Sequence, residues 1–260
     1  MNQVTDQQII EILRKEAVPA LGCTEPVACA LACAKCKEVL GSVPERLDVL
    51  VSGNIYKNGM GVGIPGTGMV GLPIAAALGA VCGKSEYGLE VLKEVNVGDN
   101  LQRAKDMLGQ VTVSLKEDAP DKLYAEALAT KGNDTVKVII AHTHTNIVLV
   151  EKNGEEIFKR EFRLDTSKPE DKGPELSVKR IWDFVHEVDV KDIEFVLQGA
   201  EMNKAISAEG LNSEYGLQIG KTLKENIDKG LLEDDLLNRT LIRATAASDA
   251  RMDGCPKPVM

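Results

Sequence analysis

The chain has 260 residues, 43% of them hydrophobic and 27% charged, enough to build a substantial core in one large domain or two small ones. Its formal charge of -9 and pI near 5.0 argue against nucleic acid as a partner, because phosphates need a basic face. No apolar run approaches the roughly 18–20 residues that span a bilayer, the N-terminus has no signal-peptide core, and six irregularly spaced cysteines fit reduced thiols rather than a disulfide framework. A cytoplasmic protein without a membrane partner is expected.

Residues 6–17 carry Ile9, Ile10, Leu13 and Ala17 at helical spacing, which predicts a short amphipathic helix. Ala20-Leu21-Gly22-Cys23-Thr24-Glu25-Pro26 precedes an Ala- and Cys-rich helix to Leu40. Thr24 or a neighbour can cap it, and Pro26 fits its first turn, where no backbone donor is needed. Leu47–Ser52 reads as a strand. Residues 53–73 are crowded with glycine, and helices are expected over roughly 72–82, 86–94 and 98–108. From Val111 the period changes to that of strands. Val111–Leu115, Leu123–Thr130, Thr135–Ala141, Ile147–Glu151 and Glu156–Phe162 predict an antiparallel meander, with Gly132-Asn133 and Asn153-Gly154 as turns. A polar linker at 165–175 leads to helices over 177–188, 192–206, 216–229 and 233–247.

The order helices, meander, helices predicts an α+β fold. Its parts are a helical and glycine-rich region (1–110), the meander (111–164) and a helical region (165–260). The chain ends Ala246-Ala247-Ser248-Asp249-Ala250-Arg251-Met252-Asp253-Gly254-Cys255-Pro256-Lys257-Pro258-Val259-Met260, a helix running into a small polar segment with no element expected to close it. Truncation before a further helical half is the expectation.

Several residues could carry chemistry. Cys23 stands just before a predicted helix start, where free amides and the helix dipole favour anions, so its thiol is expected to ionise more easily than in water. An ionised thiol can ligate iron or act as a base or nucleophile, and Glu25 could be a general base. Spacing alone leaves a buried cysteine behind a cap equally open. Cys29, Cys33 and Cys36 have the CxxxCxxC spacing of the radical S-adenosylmethionine enzymes. They lie, however, within a strong helix former and lack the following barrel, so packing is the better reading.

The run Gly59–Gly71 brings backbone amides close together ahead of a helix and could bind a carboxylate; tight packing of loop on helix is the alternative. It lacks the ending of a phosphate-binding loop. His142, His144 and Asn146 fall on one face if the chain there is extended. The two histidines could hold a metal with added ligands, or one could serve as acid or base; a strand-end hydrogen-bonding role and a substrate contact are equally open. Arg251 could grip a carboxylate in bidentate fashion or form a helix-end ion pair.

Ala20–Pro26, Lys57-Asn58-Gly59, Pro65–Gly71, His144–Ile147 and Ala246–Met252 together resemble the L-cysteine desulfidase family, related to the α part of iron–sulfur L-serine dehydratases. The resemblance implies a longer protein whose second half carries further cluster cysteines. It also implies a [4Fe–4S] cluster without pyridoxal phosphate, to which this chain contributes at most Cys23. In that scheme Cys23, Glu25 and His144 act on the substrate. Asn58, Gly66, Thr67, Gly68, Asn146, Ser248, Asp249 and Arg251 bind it. The expected activity is β-elimination from L-cysteine to pyruvate, ammonia and sulfide, with these 260 residues inactive by themselves. L-Serine dehydration and a non-catalytic small-ligand module are the alternatives. The partner implied is a small amino acid, and self-association through uncovered apolar surface is open.

Overall fold

A computed structural model describes residues 4–160 and 176–260. The expected polar linker at 165–175 and the end of the last expected strand, 161–162, lie outside the described residues.

Helix α1 (Asp6–Glu16) starts with a capping box in which the Thr5 hydroxyl accepts from the Gln8 amide and the Gln8 side chain accepts from the Thr5 amide. These bonds satisfy two otherwise orphaned donors, and Ile9 and Ile10 are buried. Helix α2 (Thr24–Leu40) ends on Gly41 at φ 77°, a left-handed cap that glycine adopts without strain. From Pro26 to Ala34 every α2 side chain is buried, so the helix is apolar all round and lies inside the molecule.

Strand β1 (Arg46–Val51) leads into a short helix α3 (Gly53–Gly59), then a hairpin of β2 (Gly63–Ile64) and β3 (Met69–Val70), then α4 (Leu72–Val81). A 3-10 turn spans Ser85–Glu90, where an α-helix over 86–94 was expected. Gly88, at φ 53° and ψ -119°, interrupts any helical continuation. Helix α5 (Asn100–Met107) precedes β4 (Val111–Leu115), β5 (Tyr124–Lys131), β6 (Asp134–Ala141), β7 (Ile147–Lys152) and β8 (Glu155–Lys159).

These strands form a six-stranded sheet in the order β4-β1-β5-β6-β7-β8. The expected meander holds for β5 to β8, whose neighbours are antiparallel. β4 departs from it. It lies parallel to β1, and β1 separates it from β5. The intervening α3, α4 and α5 supply the long crossover that a parallel pair requires.

Helix α2 packs on the sheet, where the Cys36 thiol donates to the carbonyls of Ala127 and Val136 at 3.5 and 3.6 Å. Its other side meets α4 so closely that a Cβ on Gly79 would stand 2.2 Å from the Ala30 carbonyl oxygen. Cys29, Cys33 and Cys36 are fully buried in this layer, so they pack as small apolar side chains.

Among the described residues four α-helices follow: α6 (Val178–Glu187), α7 (Val196–Asn212), α8 (Ile219–Asp228) and α9 (Leu236–Met252). Phe184 of α6 joins Ile9 and Ile10 of α1 in a small core. Arg180 donates to the Val4 carbonyl at 2.6 Å and pairs with Asp6. Helices α7, α8 and α9 meet through glycines; a Cβ on Gly210 would come within 2.0 Å of the Ala246 carbonyl oxygen.

Beyond α9 the chain crosses back onto the N-terminal layer. Gly63 bridges Asp253, and Ala20 exchanges two backbone hydrogen bonds with Val259, at 2.8 and 3.0 Å. Gly63 has no room for a side chain, because a Cβ would lie 2.4 Å from the Asp253 carbonyl carbon. This crossing sets the end of α9 beside the start of α2.

Candidate functional site

Cys23 is the N-cap of α2, with extended backbone and no side-chain capping bond. Its thiol turns instead to the next turn of the chain and donates to Glu25 Oε2 at 2.8 Å. Asn58, near the end of α3, donates through Nδ2 to the other carboxylate oxygen, Oε1, at 3.0 Å. Two elements 33 residues apart in sequence thus hold one carboxylate at both oxygens. Arg251, in the last turn of α9, donates from Nε to the Gly22 carbonyl at 3.3 Å.

The electrostatics of this group differ from the expectation. Burial, reinforced by the hydrogen bond to Glu25, pushes the Cys23 thiol up to about 11. The helix N-terminus does favour an anion, but here a carboxylate already fills that role. Cys23 therefore keeps its proton at neutral pH and acts as a donor. Burial by itself would raise Glu25, yet the hydrogen bonds from Cys23 and Asn58 outweigh it and hold the carboxyl below its usual range. His144 lies close enough to feel this charge. Its burial lowers its pKa, and the Glu25 carboxylate only partly restores it. The imidazole is accordingly neutral near pH 7.

The other expected residues scatter. His142, His144 and Asn146 do not share a strand face, because 142–146 form a turn and His142 sits at φ 69°. A left-handed residue breaks the alternation of an extended chain. His142 pairs through Nδ1 with Asp121 at 2.6 Å. Asn146 donates to the Ala141 carbonyl at 2.9 Å and accepts from Arg160 at 2.8 Å. Asp249 accepts from the amides of Leu217 and Ile219 at 3.3 and 2.8 Å, fastening the start of α8. Ser248 is exposed.

In the glycine turn, the Gly66 amide donates to the Gly254 carbonyl and the Thr67 amide to that of Ile64. The Thr67 hydroxyl is buried, donating to the Ile64 carbonyl at 2.7 Å and accepting from the Met69 amide at 2.9 Å. These amides are spent on packing. Gly66 and Gly68, at φ 74° and 63°, allow the turn, and of these two Gly68 is open on its Cβ side.

Arg251 and Ser248 instead line a cleft of about 490 Å³ together with Thr24, Val18, Leu89 and Val259. Leu89 and Val18 carried no signal in the sequence, since nothing local shows that residues 18, 89 and 259 meet. Asp121 and Arg160, the partners of His142 and Asn146, were hidden for the same reason.

The chain is 47% identical over 260 residues to a UPF0597 protein of Dichelobacter nodosus, covering 99% of this chain and 60% of that protein. It is 47% identical over 257 residues to one of Actinobacillus pleuropneumoniae, covering 98% and 59%. With one of Parabacteroides distasonis the identity is 44% over 266 residues, covering 100% and 61%. No family model and no solved structure matches it. The chain spans about 60% of the length of these curated relatives, and over nearly its whole extent it is similar to UPF0597 proteins.

Proposed function

We propose that these residues form part of a lyase that eliminates sulfide from L-cysteine, as the resemblance to the L-cysteine desulfidase family implies. The observation that supports this reading is the Glu25 carboxylate, kept ionised by the Cys23 thiol and the Asn58 amide beside a neutral His144. A carboxylate held at a fixed position can take the α-proton of an amino acid once the substrate displaces one of the hydrogen bonds that now weaken it as a base.

In this reading Glu25 takes the α-proton, and the C–H electrons become the π bond of a Cα=Cβ double bond as hydrosulfide leaves Cβ with the C–S electrons. The resulting aminoacrylate tautomerises and adds water, giving pyruvate and ammonia. Cys23, which keeps its proton, orients the base by hydrogen bonding. Arg251 lines the adjacent cleft and offers a cation to the substrate carboxylate.

The resemblance also implies an iron–sulfur cluster. Among the described residues no three His, Cys, Asp or Glu side chains converge as a metal site, and Cys23 is the one cysteine that is not buried. This donor set does not hold a cluster by itself, and no step here passes through one.

The test uses the intact Dichelobacter nodosus relative, incubated anaerobically with L-cysteine and with L-serine while pyruvate and sulfide are measured. Pyruvate and sulfide from L-cysteine are expected, and glutamine at the position aligned with Glu25 should lower kcat by about 100-fold or more. Pyruvate from L-serine alone would transfer the reading to a dehydratase. No pyruvate from either would overturn it.

A further inference from the structure

Helix α9 carries two apolar faces, and the fold uses one of them. Ile242, Ala246 and Ala250 are buried, in the layer where Gly210 of α7 and Gly220 of α8 touch Ala246. On the opposite side of the helix stand the apolar Leu237, Leu241, Ala244 and Met252 with the polar Ser248 among them, the five spaced by four, three, four and four residues. All five are exposed, Leu237 at 65%, Leu241 at 43% and Met252 at 46%. Single exposed apolar residues need no explanation. A stripe in helical register over four turns is the pattern of a helix that packs against another.

The stripe is continuous with the candidate site. Ala244, Ser248 and Met252 line the same cleft as Thr24 and Arg251, so whatever lies along α9 also walls the cleft beside Cys23. The relatives provide a candidate. The Dichelobacter nodosus protein aligns with 99% of this chain over only 60% of its own length, leaving about two-fifths of its chain unmatched. Self-pairing is less well suited, since two copies would each bring a formal charge of -9 into one assembly.

We propose that the outer stripe of α9 is the docking surface for the part of UPF0597 proteins that lies outside the region shared with this chain. That part is expected to seat an amphipathic helix along Leu237, Leu241, Ala244 and Met252 and to close the open side of the cleft. The proposal is independent of the lyase reading, because it needs no particular chemistry in the cleft.

The experiment is site-specific thiol labelling. Leu241→Cys and, separately, Met252→Cys are made in this chain, and cysteines are placed at the aligned positions of the intact Dichelobacter nodosus protein. Each is treated with N-ethylmaleimide, and the labelled peptides are quantified by mass spectrometry, with oligomeric state followed by light scattering. Both cysteines should react freely in this chain and about 100-fold more slowly in the intact, monomeric relative. Equal rates in the two proteins would overturn the proposal. So would protection in this chain through dimerisation, or protection in the relative seen only in a dimer, either of which would assign the stripe to a second copy. Two probe positions keep the result readable if one variant fails to fold.

Discussion

The Cys23 thiol donates its proton to Glu25 at 2.8 Å, so the carboxylate carries the charge and the sulfur carries the proton. This division reverses the usual expectation for a cysteine at the start of a helix, and it has measurable consequences.

Glu25→Gln should lower the pKa of both neighbours. Cys23 loses the carboxylate that opposes its ionisation and moves down from about 11, though burial, the larger cause, keeps it above the ordinary thiol range. His144 loses the charge that partly supports its imidazolium and falls further below its usual value. The pH profile of Cys23 alkylation and an NMR titration of His144 measure the two shifts. An unchanged Cys23 midpoint would show that burial alone sets it.

Asn58→Ala should destabilise the protein in a pH-dependent way. The Glu25 carboxyl is depressed in the folded state, so its stabilisation is full above its unfolded pKa and is lost as pH falls through the folded one. Removing Asn58 takes away one bond to a charged acceptor, which costs about 1–2 kcal/mol at a partly exposed position. The difference between wild type and variant in urea denaturation should therefore be largest near neutral pH and shrink in acid.

Thiol counting should single out one residue. Of the six free cysteines, Cys23 is part-exposed, whereas Cys29, Cys33, Cys36, Cys82 and Cys255 are buried. Alkylation of the native protein should modify Cys23 selectively and accelerate as pH rises towards about 11; the others should react only after unfolding. Rapid modification of Cys29, Cys33 or Cys36 would contradict their place in the α2 layer.

Gly79→Ala should be costly for a conservative change. Its Cβ would stand 2.2 Å from the Ala30 carbonyl oxygen, and neither backbone can yield without separating α2 from α4. Overpacking of this kind costs about 1–3 kcal/mol or more, against the small gain that alanine brings to an unobstructed helix. Thermal or urea denaturation checks the sign.

Much of this architecture is legible in the sequence because its cues are local. The spacing of Ile9 and Ile10, the place of Pro26 and the turn signals between β5 and β8 each act over a few residues. The short helix at Gly53–Gly59 is not legible, because a glycine-rich stretch has no helical pattern. The parallel pairing of β1 with β4 is a tertiary choice that strand periodicity does not encode. At the site, Cys23 and Glu25 stand out in sequence, but their protonation depends on Asn58, His144 and burial. A proton's position follows from neighbours brought in by the fold. The face shared by His142, His144 and Asn146 fails for a smaller reason, the left-handed backbone of one residue.

The crossing of Ala20 with Val259 and of Gly63 with Asp253 also orders events in time. Contacts between residues more than 180 positions apart must overcome a large loop-closure entropy before they form. During synthesis the corner below Cys23 therefore stays open until residue 259 has left the ribosome, while the α2–sheet layer can already be packed.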